Sequence, residues 1–266
     1  MSQTSNHYTF GENHLAAQRL AYLADAYEHP SREFIGAWAS APVEHAIDLG
    51  CGPGYTTRLL HSVLRARRTT GIDASETLLM QARLNAPDAA FIAHDITRAP
   101  FPCEPADLLL CRFVVTHLHD PASALRAWSQ AAKPGARLLV QETASLESDD
   151  PILRRYYELV AALQSGYGQS LTVGAHLDGC VAGSGWTVVS SELNVVEQAP
   201  HVMARLHAMN IRTWSSDTLA RGSFDPEEIA MVQSELDRIA SGERKAGPVR
   251  NALRQLVATR HLEPSL

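Results

Sequence analysis

Cysteine is scarce. Cys51, Cys103, Cys111 and Cys180 are the four in 266 residues, and no two form a CxxC pair. Neither a disulfide frame nor a structural zinc site is encoded, and the thiols read as those of a reduced, cytoplasmic protein. Positive charge is also short: 23 Lys and Arg stand against 29 Asp and Glu, a formal net charge of −6. A broad nucleic-acid surface needs the opposite balance, so no DNA or RNA substrate is expected. No apolar run reaches the roughly 18–20 residues of a membrane span. The opening Met1-Ser2-Gln3-Thr4-Ser5-Asn6-His7 lacks the basic and apolar regions of a signal peptide, so neither membrane nor export is expected. Internal repeats and low-complexity tracts are absent too. What is there, 45% hydrophobic and 20% charged residues, is the make-up of a folded globular chain.

The apolar pattern gives the order of elements. Leu15, Ala16, Arg19, Leu20, Leu23 and Tyr27 recur at helical spacing. Pro30 ends that pattern, Ser31 is placed to cap a second helix through Trp38, and Pro42 breaks it. From residue 44 short apolar strands alternate with helices. Strands are expected at 46–49, 69–72, 90–93, 106–113 and 136–141, with helices at 56–64, 75–84 and 121–132. Lys133-Pro134-Gly135 reads as the stop of the last of these helices. Further on, 150–164, 171–181, 202–214 and 226–240 read as helices and 186–196 as a strand, while 252–259 fits either. Strands apolar on both faces belong to a parallel sheet covered by helices on both sides: an α/β, doubly wound fold. Ligands of such sheets bind beyond the carboxyl ends of the strands.

That edge carries the chemistry. The first strand runs into Asp48-Leu49-Gly50-Cys51-Gly52-Pro53-Gly54, a turn whose backbone can approach a ligand closely. Asp73 ends the second strand and is suited to accept both hydroxyls of a ribose; Asp95 ends the third, where a carboxylate can accept from an adenine amino group. A dinucleotide loop reads G-x-G-x-x-G and cradles a pyrophosphate. Here the third glycine comes one place early, and Asp48 before the loop would repel phosphate but suit an ammonium. S-adenosylmethionine has a ribose, an adenine, an ammonium and a sulfonium, and no phosphate.

With these residues the chain resembles the class I S-adenosylmethionine-dependent methyltransferases. Ala46 to Gly54 is similar to the first motif of that family, Gly71-Ile72-Asp73-Ala74-Ser75 to its ribose segment, and His94-Asp95-Ile96 to its adenine segment. His117-Leu118-His119-Asp120-Pro121 and Lys133 to Val140 are similar to later motifs. The Tyr8-Thr9-Phe10-Gly11 start resembles small-molecule methyltransferases of bacterial natural-product pathways. The resemblance implies a Rossmann-like, mostly parallel seven-stranded sheet with one antiparallel strand, which makes 252–259 a strand. It also implies one domain over 1–266: a helical cap (1–43), a donor-binding core (44–143), a substrate-side segment with a late strand (144–199), a helical insertion or lid (200–245), and the last strand and tail (246–266). By the same resemblance Asp73 with Ala74 holds the ribose, and Asp95 with Ile96 the adenine. Asp48, the Gly50, Gly52 and Gly54 loop and the Cys111-Arg112 backbone meet the methionine portion, and Arg19 is the candidate for its carboxylate.

Methyl transfer from a sulfonium is an in-line displacement, governed by positioning and, for an acceptor of high pKa, by a base. Candidate catalytic residues are His117 and Glu142, which follow the fourth and fifth strands, and Tyr8 as part of a lid; His119 and His14 are further base candidates. Cys111-Arg112-Phe113-Val114 departs from the Asn/Asp-Pro-Pro-aromatic segment of nucleic-acid amine methylation. The double glutamate loop of protein arginine methylation is missing there, and Asp107 begins its strand instead of ending it, so no metal is expected. A small-molecule acceptor remains, with O-methylation favoured and C-methylation of an electron-rich ring or N-methylation open. Two alternatives stand beside it: a cyclase or decarboxylase that keeps the sulfonium as a fixed charge, and an NAD-dependent oxidoreductase. The pattern leaves monomer and homodimer equally open.

Overall fold

A computed structural model describes residues 14–38 and 42–262. Its centre is a seven-stranded sheet in the order β3-β2-β1-β4-β5-β7-β6. The strands are β1 (His45–Leu49), β2 (Arg68–Asp73), β3 (Ala90–Ala93), β4 (Ala106–Arg112), β5 (Ala132–Glu147), β6 (Trp186–Gln198) and β7 (Val249–Arg260). β1 to β5 pair in parallel, while β7 runs antiparallel to both β5 and β6. This is the doubly wound, mostly parallel sheet that the alternating pattern implies, and 252–259 is a strand. The helices α1 (His14–Ala26), α2 (Glu28–Ala37), α3 (Tyr55–Leu64), α4 (Glu76–Asn85) and α5 (Pro121–Gln130) cover the first half of the chain. α6 (Pro151–Gly166), α7 (Leu177–Val181), α8 (Pro200–Trp214), α9 (Thr218–Ser223) and α10 (Pro226–Ser241) follow. None of the described helices is long and apolar enough to cross a membrane.

Capping fixes several helix starts. The side chains of Ser75, Asp120, Asp150, Asp217 and Asp225 accept backbone N–H groups of α4, α5, α6, α9 and α10. Prolines occupy the first turns of α5, α6, α8 and α10, where no hydrogen bond is lost. The same rule corrects the reading of α2. It starts at Glu28, so Pro30 lies in its first turn and stops nothing. Ser31 is therefore no cap; its Oγ donates to Gln141 Oε1 at 2.8 Å. Lys133-Pro134-Gly135 is likewise not a stop between helix and strand but part of β5, which extends to Glu147 because β7 pairs with it from Arg137 onward. The helix expected over 171–181 is a short 3-10 turn at Val173–Ala175 followed by α7.

Three apolar clusters hold the layers. One packs α5 on one face of the sheet around Trp128, whose Nε1 donates to the Ile96 carbonyl at 2.9 Å. Another joins Ile35, Leu59 and Leu60 to Leu108, Leu110 and Val257. The remaining one unites α6, α8 and α10 through Leu159, Leu163, Ile211, Trp214 and Leu236, and forms a helical layer above the carboxyl edge. Trp128 is fully buried. Trp128→Ala is expected to cost about 3–5 kcal/mol, read as a lowered urea midpoint; a loss under about 1 kcal/mol would contradict this packing.

Candidate active site

The loop after β1 is shaped by its neighbours. The N–H groups of Gly50 and Cys51 both donate to the Ile72 carbonyl, at 2.8 and 3.0 Å, so the chain folds over the end of β2. Gly50 has φ +68°, and a Cβ there would lie 2.6 Å from the Val114 side chain. Gly54 has φ +81° and meets the Ala82 backbone, a Cβ falling 2.9 Å from its Cα. A side chain at either position adds backbone strain to a clash. Gly54→Ala is expected to cost more than about 2 kcal/mol and to weaken donor binding, measured by unfolding and calorimetry on the same sample.

Asp73 closes the loop from below. Its Oδ2 accepts the Gly52 N–H at 2.8 Å and its Oδ1 the Ser75 N–H at 2.9 Å. Both oxygens are thus aimed by backbone donors. Asp48 is buried and accepts the Thr57 hydroxyl at 2.7 Å; burial pushes its carboxyl up to about 7.

At the end of β4 the chain turns sharply. Phe113 has φ +55°, a left-handed conformation that costs a non-glycine residue about 1–3 kcal/mol. The turn brings the N–H groups of Val114 and Val115 onto Glu142 of β5, whose Oε1 accepts both at 2.7 Å. Among the described residues the buried Glu142 Oε2 has no hydrogen-bond partner. Burial outweighs the backbone donors and pushes this carboxyl up to about 8. Arg112 donates to Ser31 Oγ at 3.1 Å and lies over the Phe113 ring; burial pulls it down to about 10.

These groups open into a cavity of about 210 Å³ between the sheet edge and α1, α6 and α8. Arg19, Gly50, Gly52, Asp73, Arg112, His117 and Glu142 are on its wall. Arg19 is buried and donates through Nε to Asn210 Oδ1 at 2.5 Å; Asn210 Nδ2 donates to the Tyr156 hydroxyl at 2.6 Å. His117 is held down to about 3 by burial and by the Arg19 charge. The other expected residues lie off this wall, Asp48 among them, buried against Thr57. Gly54 packs on α4, and Ala74 is exposed. Ile96 is buried in the α5 cluster. Asp95 is part-exposed, accepts from Thr97 and pairs with Arg98 at 3.1 Å. His119 is exposed at the start of α5. Tyr8 and the His14 side chain lie outside the described residues.

Phe113, Asn210, Tyr27 and Asn251 carry no sequence signal, yet all line the cavity. Asn251 Nδ2 donates to the Tyr27 hydroxyl at 2.8 Å across most of the chain. Among the described residues no group of three or more His, Cys, Asp or Glu could hold a metal ion, and the four cysteines are free thiols.

Asp73 beneath a bare backbone turn suits a ribose, and a cavity wall with no lysine among the described residues offers little to a pyrophosphate. Residues 47–140 match the methyltransferase domain family. That segment is similar to the class I S-adenosylmethionine-dependent methyltransferases. A trans-aconitate 2-methyltransferase of Paracidovorax citrulli is 35% identical over 118 residues, which is 44% of this chain and 45% of that protein. The match thus spans just under half the length of that curated relative. A candidate methyltransferase structure from Bacillus halodurans superposes with a TM-score of 0.58 at 14% identity, over 86% of this chain and 98% of the other. The magnesium protoporphyrin IX methyltransferase of Synechocystis, solved with bound S-adenosylhomocysteine, gives 0.52 at 13% identity over 93% and 87%. These structural likenesses establish the methyltransferase fold.

Proposed function

We propose that the protein transfers a methyl group from S-adenosylmethionine to an oxygen of a small-molecule acceptor. The observation that carries this reading is the continuity of one cavity: Asp73 and the glycine loop stand at one end, and a chamber of Tyr27, Phe113, Tyr156, Tyr157 and Met203 beside Glu142 stands at the other. When bound, the donor supplies an electrophilic methyl on a sulfonium. Asp73 accepts the ribose hydroxyls, with Ala74 alongside. The backbone of Gly50 and Gly52 lines the methionine portion, Gly54 shapes the turn that holds it, and the Arg112 segment faces its ammonium, with Asp48 buried behind the wall. Arg19 takes its carboxylate. Asp95 meets the adenine amino group beside Ile96.

On the acceptor side Glu142 Oε2 receives the proton as the acceptor oxygen attacks. Its unpartnered oxygen and raised pKa match that task near neutral pH. His117, held near 3, is a far weaker base and serves as a neutral wall.

The curated relative acts on trans-aconitate. A tricarboxylate needs several cations around it. Among the described residues the cavity wall supplies Arg19 and Arg112, facing Asp73 and Glu142. The balance favours a hydroxyl on an apolar body. Calorimetry with S-adenosylhomocysteine and mass spectrometry of products test the reading. Micromolar binding and a product heavier by one methyl are expected; a product of unchanged mass would point to the cyclase or decarboxylase instead, and absence of binding at millimolar ligand defeats the proposal.

A further inference from the structure

Buried polar atoms without partners are rare in folded proteins, because each forfeits its hydration without replacement. In this protein several of them line one cavity. Besides Glu142 Oε2, they include both amide atoms of Gln164 on α6, Nδ1 of His207 on α8 and Oδ1 of Asn251 on β7. Gln164 is fully buried and His207 is 4% exposed. Neither belongs to the donor-binding segment.

The hydrogen bonds around His207 fix what it offers. Its ring stacks on Tyr156, centroids 4.2 Å apart, and its Nε2 lies 3.0 Å from the Tyr157 hydroxyl. Among the described residues Nε2 is the hydrogen-bond partner of that buried phenol, and an imidazole nitrogen accepts far better than a phenol oxygen, so Tyr157 donates to Nε2. The ring proton then sits on Nδ1, a donor with no protein partner. Gln164 adds a donor and an acceptor, a pair that a hydroxyl can satisfy by accepting from one and donating to the other. The surrounding wall is aromatic and aliphatic, through Tyr27, Phe113, Tyr156, Leu146, Val160 and Leu206.

We infer that Gln164 and His207 are the acceptor-recognition residues of this cavity, and that the acceptor is a small apolar ring compound bearing a second oxygen besides the one that is methylated. Gln164 holds a hydroxyl at that second position and the His207 Nδ1–H donates to an oxygen there. A rigid ring slots between the aromatic walls, and the two contacts set which hydroxyl faces the methyl group. This rests on the proposed methyl transfer and specifies its substrate class.

The test compares 1,3-dihydroxynaphthalene, 1-naphthol and trans-aconitate as acceptors for the wild type, Gln164→Met and His207→Phe. Binding of S-adenosylhomocysteine is measured on each protein and reports that it is folded. The wild type is expected to prefer the diol over 1-naphthol by about tenfold or more in kcat/KM, since unpaired polar groups in a site penalise an acceptor lacking the matching oxygen. In each variant S-adenosylhomocysteine affinity stays near the wild-type value, while KM for the diol rises about tenfold and the preference over 1-naphthol collapses. Without ligand, Gln164→Met is expected to melt higher than wild type, because an unsatisfied amide has been replaced by an apolar side chain of similar shape. Three results overturn the inference: a protein that binds S-adenosylhomocysteine but does not methylate the diol, a preference for trans-aconitate, or a diol preference that survives in a folded variant. Failure to bind S-adenosylhomocysteine removes the methyl-transfer reading itself and is seen separately.

Discussion

Asp73→Ala is expected to weaken S-adenosylhomocysteine binding by about 10²–10⁴-fold. A hydrogen bond to a charged group is worth about 1.5–3 kcal/mol, and a ribose presents two hydroxyls to this carboxylate. The orientation behind that figure is visible without ligand, because the Gly52 and Ser75 N–H groups hold the carboxylate from two sides. Removing it also frees the Gly52 turn, so part of the loss is lost pre-organisation. Asp73→Asn separates the two effects. An amide keeps one accepting oxygen for the loop but loses the charge and one acceptor, so an intermediate affinity is expected. Calorimetry on folded protein decides it; an alanine variant that binds like wild type would remove Asp73 from the donor site.

The parts of this molecule legible in the sequence are those set by local chemistry. Short apolar strands alternating with helices mark a parallel sheet, and Asp120-Pro121 and Asp150-Pro151 mark helix starts because cap and first turn lie side by side in the chain. The position of Asp73 is legible because it ends a strand next to a glycine turn. What escaped depends on residues distant in sequence. Pro30 looks like a helix breaker, yet it falls in a first turn whose start at Glu28 has no side-chain cap to mark it. The length of β5 follows from pairing with β7, more than a hundred residues later. Glu142 was legible as a carboxylate after a strand, but its state was not. That state depends on the left-handed turn at Phe113, which aims two N–H groups at one oxygen and leaves the other bare. The acceptor chamber was the least legible region. Arg19 meets Asn210 and Tyr27 meets Asn251 across about 190 and 220 positions, and nothing local marks either asparagine.

Glu142→Gln should separate catalysis from stability. Glu142 has an ordinary carboxyl value of 4.5 and is pushed up to about 8 in the fold. Between those values the folded state holds a proton that the unfolded state has released. Wild-type stability contributed by this group is therefore full below about pH 4.5 and falls as pH rises to about 8, at roughly 1.4 kcal/mol per pH unit. Asp48, pushed up to about 7, adds a decline of the same sign between its own two values. The glutamine variant keeps an oxygen for the Val114 and Val115 N–H groups and cannot ionise. It is expected to match wild type in melting temperature near pH 5 and to exceed it by a widening margin toward pH 8. Its turnover should move the other way. A base that must be ionised gives a wild-type kcat that climbs with pH and levels off above about 8, and its loss lowers kcat by about 10²–10⁴-fold and removes that climb. A variant that melts higher at pH 8 and still turns over at the wild-type rate would leave Glu142 as no more than the clamp for the turn after β4, and the proton would have to leave by another route.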